Sequence, residues 1–329
     1  MLSYTIFVDT IMAKFRRQHN AGQAAKAGSM YAKVGFLVLL MGAALMGYRY
    51  FMSPDQATEI EGNYRSDNPA PNLPAETVGP APGSWLPYAP TGEVIVDEDF
   101  SLAYSEQHEQ AIWVAHELRG ELLRKREAER NNWFEEDSRV TSGSARHADY
   151  IKSGYTRGHL APAADFVHDQ EAMDKSFFMS NISPQVYHFN AGVWRELEEN
   201  VRDWAKLNDR LLVVTGPVWD ENPKRIGKNG VSVPKAFYKA ILDPEEPEKK
   251  GIAFLIPHEK TDKPLDRFAI SIRQLEELTG IDFYMDLYER VLQDSLEKNF
   301  DIRQWPLNAA RFEKRVNIWN KEKSYNEER

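Results

Sequence analysis

The sequence contains no cysteine among its 329 residues. This absence excludes disulfide bonds, thiolate zinc sites, cysteine nucleophiles and a lipidated N-terminal cysteine. A chain without thiols suits an oxidising or a reducing environment equally, so the redox compartment stays open.

The chain also lacks an excess of positive charge, since its formal net charge is -9 at pH 7. No overall field therefore draws it to a polyanion such as nucleic acid. A site for such a partner would have to gather its cations locally.

Long apolar runs are scarce, and the clearest lies near the N-terminus. Residues 34–48 carry no charge, and the run continues through Arg49 to Met52. A membrane span needs about 20 apolar residues, so we expect a transmembrane helix over residues 34–52. Lysines and arginines precede this run and acids follow it, which places residues 1–33 in the cytoplasm and the remainder outside. A cleaved signal peptide and a buried core helix are the alternatives.

Proline recurs from Pro54 to Pro90, and such a stretch is typical of a semi-rigid linker, here residues 53–87. A globular domain is expected over residues 88–307, followed by a charged C-terminal tail over residues 308–329. The predicted strands are 100–104, 111–116, 211–215, 236–242, 252–256 and 268–272. The predicted helices are 193–207, 274–279 and 284–300. Because strands and helices do not alternate, this pattern indicates an α+β fold with a largely antiparallel sheet.

The candidate functional residues fall in one stretch of the predicted domain. It begins with Arg157-Gly158-His159, continues through Ser180-Asn181-Ile182-Ser183-Pro184-Gln185, and ends with Asn190 and Glu198. Phosphodiester hydrolysis requires a base for water, cations for the phosphate and a metal for the leaving oxygen. A neutral histidine can act as that base near pH 7. Mg²⁺ prefers oxygen ligands and often keeps most of its waters, so the amide oxygen of Asn190 can suffice as its direct protein ligand.

This stretch resembles the DNA/RNA non-specific endonucleases of the His-Asn ββα-metal superfamily, and the resemblance covers approximately residues 88–307. It implies a ββα-metal nuclease fold with a central antiparallel sheet flanked by helices. It also implies a metal-dependent endonuclease that cuts DNA and RNA with little sequence preference and leaves 5′-phosphate ends. The expected cofactor is Mg²⁺, with Mn²⁺ or another divalent ion as the alternative.

The resemblance assigns a role to each matching residue. His159 matches the general base, Arg157 an arginine beside the scissile phosphate, and Asn181 an asparagine that helps hold the site. Asn190 matches the metal ligand, and Glu198 the acid that binds the metal through water. Arg130 resembles a second phosphate-binding arginine, although Arg124 and Arg126 lie close enough in the sequence to take its place.

One position departs from the family pattern. Thr156 stands where the family usually has an aspartate before Arg-Gly-His. Threonine keeps a hydrogen-bonding oxygen and loses a negative charge, so we expect activity to persist with a changed pH or metal dependence.

Structural roles are the alternative for several of these residues. Arg157 could pair with Asp165, Asn181 could brace a turn, and Glu198 could lie on a solvated helix face. Trp194 and Leu197 are expected in the core. At the level of the whole protein, the alternatives are a nucleic-acid-binding module with a decayed site and a phosphodiesterase for small substrates.

The expected partners are DNA and RNA as substrates and a membrane through residues 34–52. The sequence leaves open a homodimer and an inhibitor protein. A bacterial inner membrane with the enzyme on the periplasmic side is the expected location, and a mitochondrial inner membrane is the alternative.

Overall fold

The computed structural model describes residues 85–88, 91–285 and 287–322. All of them belong to the second of the two units into which the chain divides, Arg65–Arg329. The predicted cytoplasmic segment, the predicted anchor at residues 34–52 and nearly all of the linker lie outside the described residues. Within the described ranges, no helix is long and apolar enough to cross a membrane.

The domain contains eleven strands and six α-helices within these ranges. The strands are β1 Glu93–Ile95, β2 Ser101–Ser105, β3 Gln110–Arg119, β4 Thr156–His159, β5 Ile182–Gln185, β6 Arg210–Val218, β7 Arg225–Ile226, β8 Val231–Ser232, β9 Ala236–Asp243, β10 Lys250–Pro257 and β11 Ala269–Ile270. The helices are α1 His147–Tyr150, α2 Gln170–Lys175, α3 Arg195–Asn208, α4 Ile272–Thr279, α5 Arg290–Lys298 and α6 Ala309–Asn317.

A seven-stranded sheet forms the centre, in the order β1-β2-β3-β6-β9-β10-β11. Every neighbouring pair in it is antiparallel. The fold is therefore mixed helix and sheet around an antiparallel sheet, which confirms the predicted class.

Side chains of each strand alternate between the two faces of the sheet. All residues of β9 are buried, so both faces of the sheet are covered there. Phe237 and Ile241 of β9 belong to the same core cluster as the residues of α3. Tyr238 faces the other way and packs edge-on against Phe283, at 5.6 Å between ring centroids.

The predicted apolar stripe of helix α3 is confirmed. Trp194, Leu197, Val201 and Trp204 are each at most 2% exposed. They recur at helical spacing and so share the face that packs on the sheet.

Two predicted elements are wrong in their bounds. The predicted strand at 268–272 shortens to Ala269–Ile270, because Ser271 caps helix α4 by accepting the Gln274 N–H at 3.1 Å. The predicted helix at 284–300 begins only at Arg290. Tyr284 has a left-handed backbone (φ 58°) and its buried hydroxyl donates to the Leu212 carbonyl at 3.0 Å, so it cannot start a helix.

Part of the segment interpreted as a charged tail is folded. Helix α6 lies within residues 308–329, and Arg315 on it is fully buried. Some charged residues of this segment therefore contact the domain, and others face solvent.

Candidate active site

Strands β4 and β5 form a separate antiparallel hairpin that carries the Arg-Gly-His motif. His159 pairs with Ile182, Arg157 with Pro184 and Thr156 with Gln185. Between them Gly158 packs directly on Gln185, and a Cβ at this position would overlap the Gln185 side chain. Glycine is therefore required here so that the two strands can approach.

His159 lies between two aromatic rings and is 8% exposed. Its imidazole packs at right angles to Phe177, 4.9 Å away, and tilts against Phe134 at 5.7 Å. Among the described residues, nothing hydrogen-bonds to its Nε2. Burial, together with the charges of Arg130 and Arg157, lowers the pKa of His159 to about 3. The imidazole is therefore neutral near pH 7 and holds a free lone pair.

Arg157 lies beside this base. Its guanidinium sits 4.4 Å from the centre of the Phe134 ring, and its Nη1 donates to Nδ1 of His147 at 2.6 Å. The alternative partner, Asp165, instead contacts His116 at 3.0 Å and Arg202 at 2.9 Å. Because no carboxylate among the described residues pairs with Arg157, its charge can act on a phosphate.

Arg130 reaches the site from the other side. Its guanidinium lies 5.2 Å from the centre of the Phe177 ring, the ring that packs on His159. Its charge lowers the pKa of His159 and also that of Glu198. Arg124, in contrast, donates to the carbonyl of Lys206 near the end of α3. The geometry thus favours Arg130 over Arg124 as the second arginine.

Asn181 holds the chain that follows the base. Its Oδ1 accepts the N–H of Ala161 at 2.9 Å, and its Nδ2 donates to the carbonyls of Ala161 and Ser176 at 2.9 and 2.8 Å. The side chain is completely buried. Asn181 is therefore a positioning residue that braces the segment after His159.

Asn190 is attached to the hairpin through Thr156. Its Nδ2 donates to Oγ1 of Thr156 at 2.9 Å, and Thr156 in turn donates to the Gln185 carbonyl at 2.8 Å. No described residue donates to Oδ1 of Asn190. This arrangement directs the amide nitrogen at the protein and leaves the amide oxygen for another ligand, which suits a hard divalent cation.

Glu198 lies two turns beyond Asn190, on helix α3, and is half-buried rather than solvated. Its carboxylate forms no hydrogen bond with the described residues. Burial raises its pKa above the ordinary value, whereas the charges of Lys239 and Arg202 lower it. A partly buried carboxylate without a direct partner can bind a water of a metal shell.

A buried lysine beneath this region is missing from the sequence-based expectations. Lys239 is 1% exposed, on the same face of β9 as Phe237 and Ile241. Its ammonium contacts Oγ1 of Thr215 and the carbonyl of Leu160, at 3.4 Å for the latter. The available signal in the sequence is a single lysine inside the otherwise apolar run of residues 236–242, which a buried strand places in the core.

A tight group of three carboxylates in the described part of the chain lies outside the candidate site. Ligand atoms of Glu276, Asp282 and Glu297 fall within 4.8 Å of one another. Arg273 contacts both Glu276 and Glu297 and supplies their counter-charge. None of the predicted site residues belongs to this group.

Comparison with known proteins identifies the family. Residues 86–289 match the DNA/RNA non-specific endonuclease family. Human mitochondrial endonuclease G is 34% identical over 207 residues, which are 59% of this chain and 70% of that protein. The mitochondrial nuclease of Saccharomyces cerevisiae is 31% identical and covers 66% of this chain and 74% of its own length.

A solved structure agrees with these relatives. The crystal structure of the EndoG/EndoGI complex superimposes with a TM-score of 0.57 at 28% identity, over 61% of this chain and 88% of that chain. With the family matched over most of the folded domain, the chain belongs to the DNA/RNA non-specific endonuclease family and is an endonuclease.

Proposed function

We propose that this endonuclease hydrolyses phosphodiester bonds of both DNA and RNA without strong sequence preference and leaves 5′-phosphate ends. The observation that carries the proposal is the state of His159. It is a neutral, buried imidazole whose Nε2 has no partner among the described residues, and it lies within the fields of Arg130 and Arg157.

His159 acts as the general base in this proposal, because its neutral imidazole can accept a proton from the attacking water. Arg157 and Arg130 bind the scissile phosphate, because a guanidinium can offer two parallel donors to phosphate oxygens. Asn181 keeps the loop that follows His159 in place.

The residues of the site fit a divalent metal. The amide oxygen of Asn190 and the carboxylate of Glu198, which have no hydrogen-bond partner in the described part of the chain, are oxygen donors, and Mg²⁺ accepts such a small number of protein ligands. Asn190 would be the direct ligand and Glu198 would act through water, with Mn²⁺ or another divalent ion as the alternative. When bound, such an ion supplies charge stabilisation of the phosphate and the leaving oxygen.

The test is cleavage of DNA and of RNA in substrate-loaded gels, with EDTA and across a metal series. We expect activity on both substrates that EDTA abolishes and Mg²⁺ restores. Binding without cleavage at every metal would indicate a decayed binding module instead. Strong competition by short dinucleotides would indicate a phosphodiesterase for small substrates.

We also propose that residues 34–52 anchor the enzyme in a membrane, with the catalytic domain on the non-cytoplasmic side. The support is the uncharged run at residues 34–48 and the lysines and arginines that precede it. A bacterial inner membrane is the proposed location and a mitochondrial inner membrane the alternative, and relatives named as mitochondrial proteins support a mitochondrial location.

A further inference from the structure

We propose that the segment Asn308–Lys321, which follows the part of the chain matched by the family, positions Asn190 and Glu198, the two residues proposed to bind the metal. This inference rests on the proposed function. It concerns the helical region that carries both residues: a wide turn, Phe189–Trp194, that runs directly into helix α3.

The first contact of the segment is a buried ion pair. Arg315 of α6 is fully buried and its Nε contacts the carboxylate of Glu196, which is 2% exposed. The same guanidinium donates to the carbonyls of Thr261 and Lys263, at 2.7 Å for the second. Glu196 precedes Glu198 by two residues, so this pair fixes helix α3 close to the carboxylate that faces the site.

The second contact lies close to Asn190. The turn is kinked at Gly192, whose backbone angles (φ −106°, ψ −110°) are not helical. A Cβ on Gly192 would lie 2.8 Å from Oδ1 of Asn320, so the two residues are in close contact. Asn320 is itself 2% exposed, and its Nδ2 donates to the Thr261 carbonyl at 2.9 Å and to Asp262 at 2.6 Å.

Further contacts continue along the same face of α3. Arg311 contacts Glu199 at 2.9 Å and Asp203 at 2.7 Å. Arg195 lies over the Trp319 ring at 4.2 Å. Glu196, Glu199 and Asp203 recur at three- and four-residue spacing and form one acidic stripe. Basic residues of the segment cover this stripe.

The geometry explains why these contacts act on the metal site. The acidic stripe and the core stripe lie on different faces of α3, so the helix is held between the sheet and the segment. Glu198 has no hydrogen bond of its own among the described residues, and Asn190 has its single side-chain bond to Thr156. The positions of both therefore depend on how firmly the turn and helix are held, which is how outer contacts tune a metal site.

The test measures metal binding directly, by titrating Mn²⁺ into the full chain and following it by electron paramagnetic resonance. All proteins carry His159→Ala so that no cleavage occurs. The variants are Asn320→Ala and the double variant Glu196→Gln with Arg315→Met, which removes both buried charges together. Glu313→Ala is the matched control, because Glu313 is an exposed residue of the same helix.

We call Asn320→Ala and the double variant Glu196→Gln with Arg315→Met the brace variants, and we expect each to bind Mn²⁺ about tenfold more weakly, as loss of outer-shell partners does in other metal sites. In the background that retains His159, the Mg²⁺ midpoint for activity should rise in parallel while the KM for nucleic acid stays unchanged. Ile252→Val, a core change on β10, controls for a general loss of stability and should leave Mn²⁺ binding unaltered.

An Mn²⁺ affinity equal to that of the His159→Ala parent in both brace variants would overturn the inference, as would an equal loss of affinity in Ile252→Val. Asn190→Ala separates this failure from failure of the proposed function. If Asn190→Ala loses Mn²⁺ binding and the brace variants do not, only the brace is wrong. If Asn190→Ala binds Mn²⁺ normally, Asn190 is not the ligand, and both the proposed metal site and this inference fail, whereas nuclease activity is tested separately by the cleavage assay.

Discussion

The hydroxyl of Thr156 bridges Asn190 and the carbonyl of Gln185, accepting from the first at 2.9 Å and donating to the second at 2.8 Å. The residue that departs from the family pattern is thus the one that orients the proposed metal ligand. An aspartate here could still accept from Asn190, but it could not donate to Gln185.

Thr156→Val should therefore weaken metal binding at Asn190 without removing the general base His159. Valine keeps the shape of threonine and loses both hydrogen bonds, so we expect the Mg²⁺ midpoint for activity to rise about tenfold. Thr156→Asp retains an acceptor and should stay active with a shifted pH or metal profile. An unshifted midpoint in Thr156→Val would show that Asn190 is held by other contacts.

His159→Ala should abolish cleavage and leave nucleic-acid binding nearly unchanged. Loss of a general base typically lowers the rate by about 10²–10⁴-fold. Single-turnover cleavage with saturating Mg²⁺ measures the rate, and gel shift measures binding. His168→Ala is a control on a half-buried histidine outside the proposed machinery. More than a tenth of the wild-type rate in His159→Ala would remove His159 from this role.

The pKa of His159 should respond to Arg130. The pKa is about 3 in the folded protein, and Arg130 is one of the causes because its positive charge disfavours the imidazolium. Arg130→Gln removes that charge, so the pKa should rise toward the ordinary value of 6.5. Nuclear magnetic resonance titration of the metal-free enzyme measures it. The control Lys125→Gln alters an exposed cation that does not shift this pKa, and an unchanged value in Arg130→Gln would place Arg130 away from the base.

The same shift makes folding sensitive to acid. The pKa of His159 is lowered in the folded protein. The contribution of its neutral imidazole to the free energy of unfolding is therefore fully present above pH 6.5 and is lost as the pH falls toward 3. The physical reason is that the unfolded chain takes up the proton first. Urea unfolding should show a shallower loss of stability between pH 6.5 and pH 4 in His159→Asn than in the wild type. Parallel curves would contradict the depressed pKa.

Asn181→Ala should destabilise the fold rather than remove a chemical step. It leaves the buried N–H and carbonyl of Ala161 without their side-chain partner, and an unsatisfied buried group costs about 1–3 kcal/mol. Urea unfolding measures the change, with the exposed Asn222→Ala as control. A full loss of activity with unchanged stability would instead indicate direct contact with the substrate.

The proposed membrane topology predicts which part of the protein a protease can reach. Protease added to intact spheroplasts, or to mitoplasts, should digest the catalytic domain, while a tag before Met1 stays protected. Protection of the catalytic domain would contradict the topology. Quantitative release of the enzyme into the soluble fraction would indicate a cleaved signal peptide.

Much of the fold and the candidate site residues could be predicted from the sequence, because both predictions depend on local patterns. The apolar spacing of Trp194, Leu197, Val201 and Trp204 predicts helix α3, and strand-like runs predict the main strands of the sheet. The motif around His159 and its spacing to Asn190 identify the family. Where local pattern and tertiary contact disagreed, as at Tyr284, the buried hydrogen bond decided the backbone.

Tertiary structure alone decided the partners of each site residue, since these partners are distant in sequence. No local pattern predicts that Thr156 holds Asn190, that Asp165 pairs with Arg202 instead of Arg157, or that Arg315 is buried against Glu196. Burial also set the chemistry. The same histidine has an ordinary pKa in water and a strongly lowered one between Phe134 and Phe177, because a low-dielectric environment near two arginines disfavours its charged form.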